Sequence, residues 1–494
     1  VNATNGKGRE LSVGIVGAGF GGVGIGIKLA KQGIADFTIF ERGETVGGVW
    51  RANTYPGAAC DVPSHLYSFS FAKGSEWSRR YAPQPDILRY LKGVSDRFEL
   101  GPHLRFGTEV TKASFDSDAG RWTLETDTGE SHSFDVLVTA CGQLTRPAMP
   151  PVEGLEDFAG PSFHSAEWDH DIDLEGKNVA VIGTGASAIQ FIPAIAPSAK
   201  QLTIYQRSAP WIMPKSDRAY PKWEQQLFKA FPPRVALSRV GFFAFLEGAT
   251  YGFTGTDWVI QPFKFAADRE RNKVLQDPEL RAKATPDYRI GCKRVLFTSD
   301  WYPTLNRPNV ELLNGQVDRI SKDGVIGPDG VERPADVIIF GTGFQSHRFV
   351  APMEVHGLGD RELNAVWGDR AEAYLGTTVT GFPNMFVLYG PNTNHGSGSV
   401  PYTLECQFNY ILDAVRHLQT PGFRWLDVRP ETQMAWREEM EERSENTVWK
   451  SGGCHNWYLN EKGQNTNNWP GAWLEYRRRT RRINPGDYRV AVAS

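Results

Sequence analysis

Short apolar runs alternate along this chain with stretches whose apolar residues recur at helical spacing. Ser12 to Val16 is an apolar run followed by glycines and then by Val23 to Gln32, where the spacing is helical; Phe37 to Phe40 is the next run of strand length. The same strand, turn, helix and strand return mid-chain at Asn178 to Ile182, Ala188 to Ile195 and Leu202 to Tyr205. Two more β-branched, apolar runs, Asp135 to Ala140 and Asp336 to Phe340, end in the turns Cys141-Gly142-Gln143 and Gly341-Thr342-Gly343, and a further strand is read at Met385 to Tyr389. Strands alternating with helices predict an α/β fold with parallel sheets. Ser216 to Ile290 is different: few glycines, many charged and aromatic residues and no strand-like alternation predict a helical insertion. Its most apolar stretch, Val240 to Leu246, is far short of the ~20 residues that span a bilayer and is flanked by Arg239 and Glu247, so it reads as a buried or interfacial helix.

Composition narrows the partners. A chain of 494 residues has room for two to four domains, and its net charge of −3 gives no general attraction to nucleic acid or anionic lipid. A small-molecule partner is expected, with no nucleic acid and no membrane; the oligomeric state is open. Apolar and charged shares of 40% and 22% are those of a folded protein, and glycine, at 51 residues, is in excess. The five cysteines are far apart, odd in number and form no CxxC pair, which argues against a disulfide framework, a redox-active pair or a zinc site; no metal is expected. The N-terminal stretch lacks the basic start, apolar core and cleavage site of a secretory signal, so a cytoplasmic location is expected.

The glycines concentrate where chemistry is expected. Gly17, Gly19 and Gly22 fill a GxGxxG turn between strand and helix, a pattern that permits a tight turn, close approach of backbone to a pyrophosphate and close packing of helix on strand. Glu41 ends the next strand, 24 residues after Gly17, where a carboxylate can accept hydrogen bonds from both ribose hydroxyls. Gly183, Gly185, Ser187 and Ala188 form the second turn, with alanine in the third glycine's place. Here Arg207 stands 24 residues after Gly183, and a guanidinium in place of a carboxylate grips a 2′-phosphate, so this unit is expected to prefer NADP(H) to NAD(H).

Two further segments carry a family likeness. Gly47-Gly48-Val49-Trp50 through Tyr55-Pro56-Gly57 to Asp61 fits [A/G]GxWxxxx[F/Y]P[G/M]xxxD, and Phe158, Gly160, His164, Trp168 and Asp169 fit FxGxxxHxxxW[P/D]. With both glycine turns, the chain resembles the type I Baeyer-Villiger monooxygenases from about Val13 to Gly390, and more weakly at the C-terminus. The resemblance implies two Rossmann-like dinucleotide-binding domains, for FAD and NADPH, the second inserted in the first: FAD domain 1–149, NADPH domain 150–215, helical insertion 216–290, NADPH domain 291–344 and FAD domain 345–494. It also implies a reaction in which NADPH reduces FAD, O₂ yields a C4a-peroxyflavin and the peroxide attacks a ketone to give an ester or lactone.

The same likeness assigns residues. Arg294, in Gly291-Cys292-Lys293-Arg294, is expected to keep a fixed positive charge beside the peroxide, with Asp61 positioning it; Lys293 joins Arg207 and Ser208 at the 2′-phosphate. Gly48, Trp50 and Tyr67 are placed near the flavin, with ordinary core packing the other reading for the two aromatics. Gln143 is expected to touch nicotinamide or flavin. Phe158, Gly160, His164, Trp168 and Asp169 resemble an interdomain linker, not catalysts. In the glycine- and asparagine-rich segment Ser451 to Gly471, which reads as flexible, Trp457 is the candidate that closes over NADP. Trp211, Phe242, Phe243, Trp258 and Phe344 are candidates for a substrate pocket, each with core packing as the plainer reading. The arginines Arg477 to Arg479, Arg481 and Arg482 read as a solvated helix face or an interface. The alternative activity is that of a flavin-containing monooxygenase that oxygenates nitrogen or sulfur, which shares both glycine turns but lacks the Asp61 and Arg294 arrangement.

Overall fold

The computed structural model describes residues 9–492; residues 1–8, part of the N-terminal stretch read above, lie outside the described residues. Two five-stranded sheets organise the chain. The first has the order Met385–Val387, Val136–Thr139, Val13–Val16, Phe37–Phe40, Leu104–Arg105, every neighbouring pair parallel. The second has the order Val310–Asn314, Gln201–Gln206, Asn178–Ile182, Val337–Phe340, Ser162–His164, again wholly parallel. All strands of the second sheet fall, in sequence, between two strands of the first.

The inner strands of both sheets are apolar runs covered on both faces. Val136–Thr139 and Val337–Phe340 are buried at every position, as expected of parallel strands with helices packed on either side. Asp135, read above as the start of a strand, instead turns its carboxylate back to accept hydrogen bonds from the Ser12 amide and hydroxyl, both at 2.9 Å. A four-stranded sheet of Glu354–His356, Val110–Asp116, Arg121–Thr126 and Ser131–Phe134, absent from the pattern reading, buries Trp122, Leu124 and Phe134 with Phe40 of the first sheet.

The stretch read as a helical insertion forms the helices Lys222–Ala230, Pro232–Phe253, Asp257–Val274 and Pro278–Lys283. Val240 to Leu246 lies within the second of these with two unlike faces. Phe242, Phe243 and Leu246 pack against the main core, while Val240 and Phe245 are exposed. Among the described residues no helix is long and apolar enough to cross a membrane. Part of the arginine cluster is used internally, since Arg479 pairs with Glu439 and Glu475.

The cysteine reading needs correction. Cys292 and Cys454, 162 residues apart in sequence, form a disulfide, leaving Cys60, Cys141 and Cys406 free. Spacing along the chain carried no trace of this pair because the bond depends on two distant loops meeting in space.

Candidate active site

Each glycine turn leaves the carboxyl end of the central strand of its sheet, and both open into one cavity of about 1280 Å³. In the first turn Gly17 has φ +105°, and a Cβ there would lie 2.6 Å from the Ala140 carbonyl oxygen, so only glycine fits. The helix Phe20–Lys31 starts at this turn and presents its amino end to the cavity, a favourable seat for a pyrophosphate. Gly183 repeats the geometry, with φ +106° and a Cβ that would meet the Gly341 carbonyl oxygen at 2.5 Å, ahead of the helix Ala188–Ile195. Gly19, Gly48, Gly185 and Ser187 line the same cavity.

Glu41 lies at the cavity edge, buried, and is already engaged. It accepts from the amides of Ala18 and Gly43, each at 2.9 Å, and from Arg51 at 3.0 Å. Of a carboxylate's roughly four acceptor directions, about one remains for a ribose hydroxyl. Trp50 donates through Nε1 to the Tyr67 hydroxyl at 3.1 Å, and both residues border the cavity. Gln143 donates to the Tyr389 carbonyl at 3.0 Å, while its buried Oε1 has no partner among the described residues.

Arg294 and Asp61 meet at the cavity wall. Arg294 donates from Nε to Asp61 Oδ2 at 3.0 Å and from Nη2 to Oδ1 at 2.8 Å, a two-pronged ion pair. The arginine is fixed on both sides in sequence: Cys292 is tied to Cys454, and Leu296–Phe297 pairs as a short parallel strand with Ile212–Met213. Arg294 keeps 30% of its side-chain surface accessible and Asp61 19%, because the pair faces the cavity. The Asp61 charge raises the Arg294 pKa against the opposing effect of burial, so the guanidinium stays cationic. Burial pushes the Tyr458 hydroxyl up to about 12 and raises that of Tyr389, so both neighbours remain neutral.

At the second turn Arg207, Ser208 and Lys293 line the cavity together. Lys293 donates to the Ser208 hydroxyl and lies 4.8 Å from the centre of the Tyr288 ring. Burial, then the Arg207 charge, lowers its pKa. Three donors, two of them cationic, suit a 2′-phosphate.

The His164 segment stands behind the wall. His164 is buried, its Nδ1 accepts from the Ala166 amide at 3.1 Å, and burial lowers its pKa, so the ring is neutral and holds the turn. Trp168 packs between Phe163 and Phe191, with ring centres 5.2 and 5.3 Å away. Asp169 is exposed and accepts from the Asp171 amide, Phe158 packs on the second sheet's core, and a Cβ on Gly160 would lie 2.5 Å from the Asp336 carbonyl. None of these five lines the cavity, whereas Ser165, Ala166 and Glu167 do.

Trp457 borders the cavity, its carbonyl held by Ser346 and Asn467. The asparagine run after it, read above as part of a flexible segment, is pinned: Asn467 and Asn468 are fully buried, Asn394 donates to the Asn467 carbonyl at 3.0 Å, and Trp469 donates to the Asn394 carbonyl at 2.8 Å. Of the substrate-pocket candidates, Phe344 lines the cavity and Trp211, Phe242, Phe243 and Trp258 do not. Sequence reasoning missed Gln190, which accepts from the Tyr55 hydroxyl at 3.1 Å and the Ala59 amide at 3.2 Å and donates to the Ala59 carbonyl at 3.0 Å. It stitches the Tyr55-Pro56-Gly57 segment to the second nucleotide unit. No pattern flagged it, since a single glutamine on a helix has no signature.

The site therefore offers two helix-start pyrophosphate seats, an unpaired Gln143 oxygen suited to a ring edge, and a donor triad with two cations suited to NADP. The sequence profile of the flavin-binding monooxygenase-like family matches residues 10–235. The chain is 44% identical over 483 residues to a Baeyer-Villiger monooxygenase of Streptomyces coelicolor, covering 98% of this chain and 93% of that one. It is 42% identical over 485 residues to a Baeyer-Villiger monooxygenase of Pseudomonas aeruginosa, covering 98% and 92%. Among solved structures it superposes on a closed cyclohexanone monooxygenase with a TM-score of 0.87 at 28% identity, covering 98% of this chain and 99% of that one. An oxidised steroid monooxygenase bound to NADP gives 0.85 at 31%, covering 98% and 100%. With the fold, both nucleotide seats and this full-length identity in agreement, the chain belongs to the Baeyer-Villiger monooxygenases, enzymes dependent on FAD, NADPH and O₂.

Proposed function

We propose that the Asp61–Arg294 pair is the charged element on which conversion of a small ketone to an ester or lactone depends in this protein. The observation that carries the reading is the two-pronged ion pair on the wall of the cavity that both glycine turns enter. FAD, once reduced by NADPH, supplies the chemistry that activates O₂ and delivers one oxygen atom to the carbonyl carbon. Arg294 holds a positive charge at the cavity, where negative charge develops on oxygen; Asp61 occupies Nε and Nη2 and leaves Nη1, without a partner among the described residues, as a donor toward the reacting groups. Asp61 also fixes the direction of the guanidinium, so little reorganisation is needed when the reaction begins.

Arg207, Ser208 and Lys293 hold the 2′-phosphate and favour NADPH over NADH. Trp50, Tyr67 and Gln143 border the flavin, and Trp457 covers the nicotinamide side of the cavity. His164 and Trp168, set behind the wall, hold the linker between a FAD domain formed by residues 1–149 and 345–494 and an NADPH domain formed by residues 150–215 and 291–344. The partners are O₂ and a small, uncharged ketone. Incubation with NADPH, ¹⁸O₂ and a panel of linear, cyclic, aryl and steroid ketones tests the reading: an ester or lactone carrying one ¹⁸O supports it. Oxidation of sulfides or amines with no product from any ketone contradicts it.

A further inference from the structure

His395 follows the pinned Asn394 and is itself buried, at 6% exposure, on the wall of the reaction cavity. Neither ring nitrogen has a hydrogen-bond partner among the described residues. Its ring lies against aromatic neighbours, 4.8 Å from the centre of Trp473 and 6.3 Å from that of Tyr476. A buried imidazole with both nitrogens unsatisfied is unfavourable where an apolar side chain would fill the same space at no such cost. A group with a donor and an acceptor that enters the cavity satisfies both nitrogens.

The chemistry of that occupant follows from the ring's state. Burial alone pushes the His395 pKa down to about 3, so the ring is neutral at working pH, and no charged side chain contributes to the shift. A neutral imidazole offers one donor and one acceptor. It matches a hydroxyl or a second carbonyl, and as a neutral ring it supplies no counter-charge of its own to a carboxylate or phosphate. Thr403, fully buried on the same cavity with an unpaired hydroxyl, adds a second neutral polar group.

We propose that His395 is a specificity-determining residue that hydrogen-bonds an oxygen function of the ketone substrate remote from the carbonyl that reacts. The inference rests on the ketone-oxidising reading above and deepens it: the preferred substrates are oxygenated ketones, not plain hydrocarbon ones. The test compares matched pairs, cyclohexanone with 4-hydroxycyclohexanone and 2-octanone with 8-hydroxyoctan-2-one, on the FAD-loaded wild type, His395→Leu and His395→Gln. The wild type favours the hydroxylated member of at least one pair. His395→Leu lowers kcat/KM for that member roughly tenfold to hundredfold and leaves its plain partner within about twofold, and His395→Gln restores part of the loss. FAD content, flavin spectrum and the rate of flavin reduction by NADPH stay unchanged. An equal fall for both members, a change in the flavin spectrum or FAD content, or a wild type with no preference overturns the subsite. Turnover of no ketone by the wild type overturns the underlying reading, and this inference with it.

Discussion

Arg294 grips Asp61 across 233 residues of chain, joining the end of the Gly47-to-Asp61 segment to the loop that follows the helical insertion. The carboxylate both supports the guanidinium's charge and fixes its direction. Asp61→Asn removes the negative partner while keeping the shape. Ester formation is expected to fall roughly tenfold to hundredfold, as when a group that orients a reactive partner is lost. FAD content and the KM for NADPH should change little, which steady-state kinetics and the flavin spectrum measure.

The cationic group at the second turn makes two cofactor predictions. Arg207→Ala is expected to raise the KM for NADPH about tenfold or more and leave that for NADH nearly unchanged. An equal change for both cofactors would contradict a 2′-phosphate contact.

Lys293 adds a pH dependence. Its pKa is lowered by burial and then by Arg207, and a bound phosphate favours the protonated ammonium. NADPH affinity is therefore full below the Lys293 pKa and declines as pH rises through it, earlier than an ordinary lysine near ~10.4 would allow. Lys293→Arg should remove this alkaline decline, and Arg207→Ala should move it to higher pH. The KM for NADPH measured from about pH 7 to about pH 10, with NADH as control, checks the sign.

The disulfide is directly countable. Denatured, unreduced protein should show three thiols and reduced protein five, in keeping with the Cys292–Cys454 bond and free Cys60, Cys141 and Cys406. Closing a loop of 162 residues, the bond restricts the unfolded chain, and Cys454→Ser is expected to cost about 2–4 kcal/mol, read as a lower Tm.

What the sequence made legible was local. Gly17 and Gly183 announced themselves because a tight turn beneath a helix start demands glycine at fixed spacing, and Val337–Phe340 because a doubly covered strand is apolar throughout. The meeting of Asp61 with Arg294 has no such signature and was reached only through family likeness. Cys292 with Cys454 and Gln190 with Tyr55 were invisible for the same reason: the partners are set by the packing of distant segments. Asn467 and Asn468 misled in the opposite direction, because a run of asparagines reads as solvated loop, whereas here both are buried, Asn467 donating to the Trp457 carbonyl and Asn468 accepting from the Asn394 side chain. His395, in a glycine-rich stretch, stands out only once its unpaired nitrogens are seen on the cavity wall.

The most direct measurement is ester or lactone formed per NADPH oxidised by Arg294→Ala, with FAD bound and an accepted ketone in excess. The account predicts that FAD binding and flavin reduction by NADPH persist while product formation is lost. Product at the wild-type rate would contradict the role given to Arg294 and its pairing with Asp61.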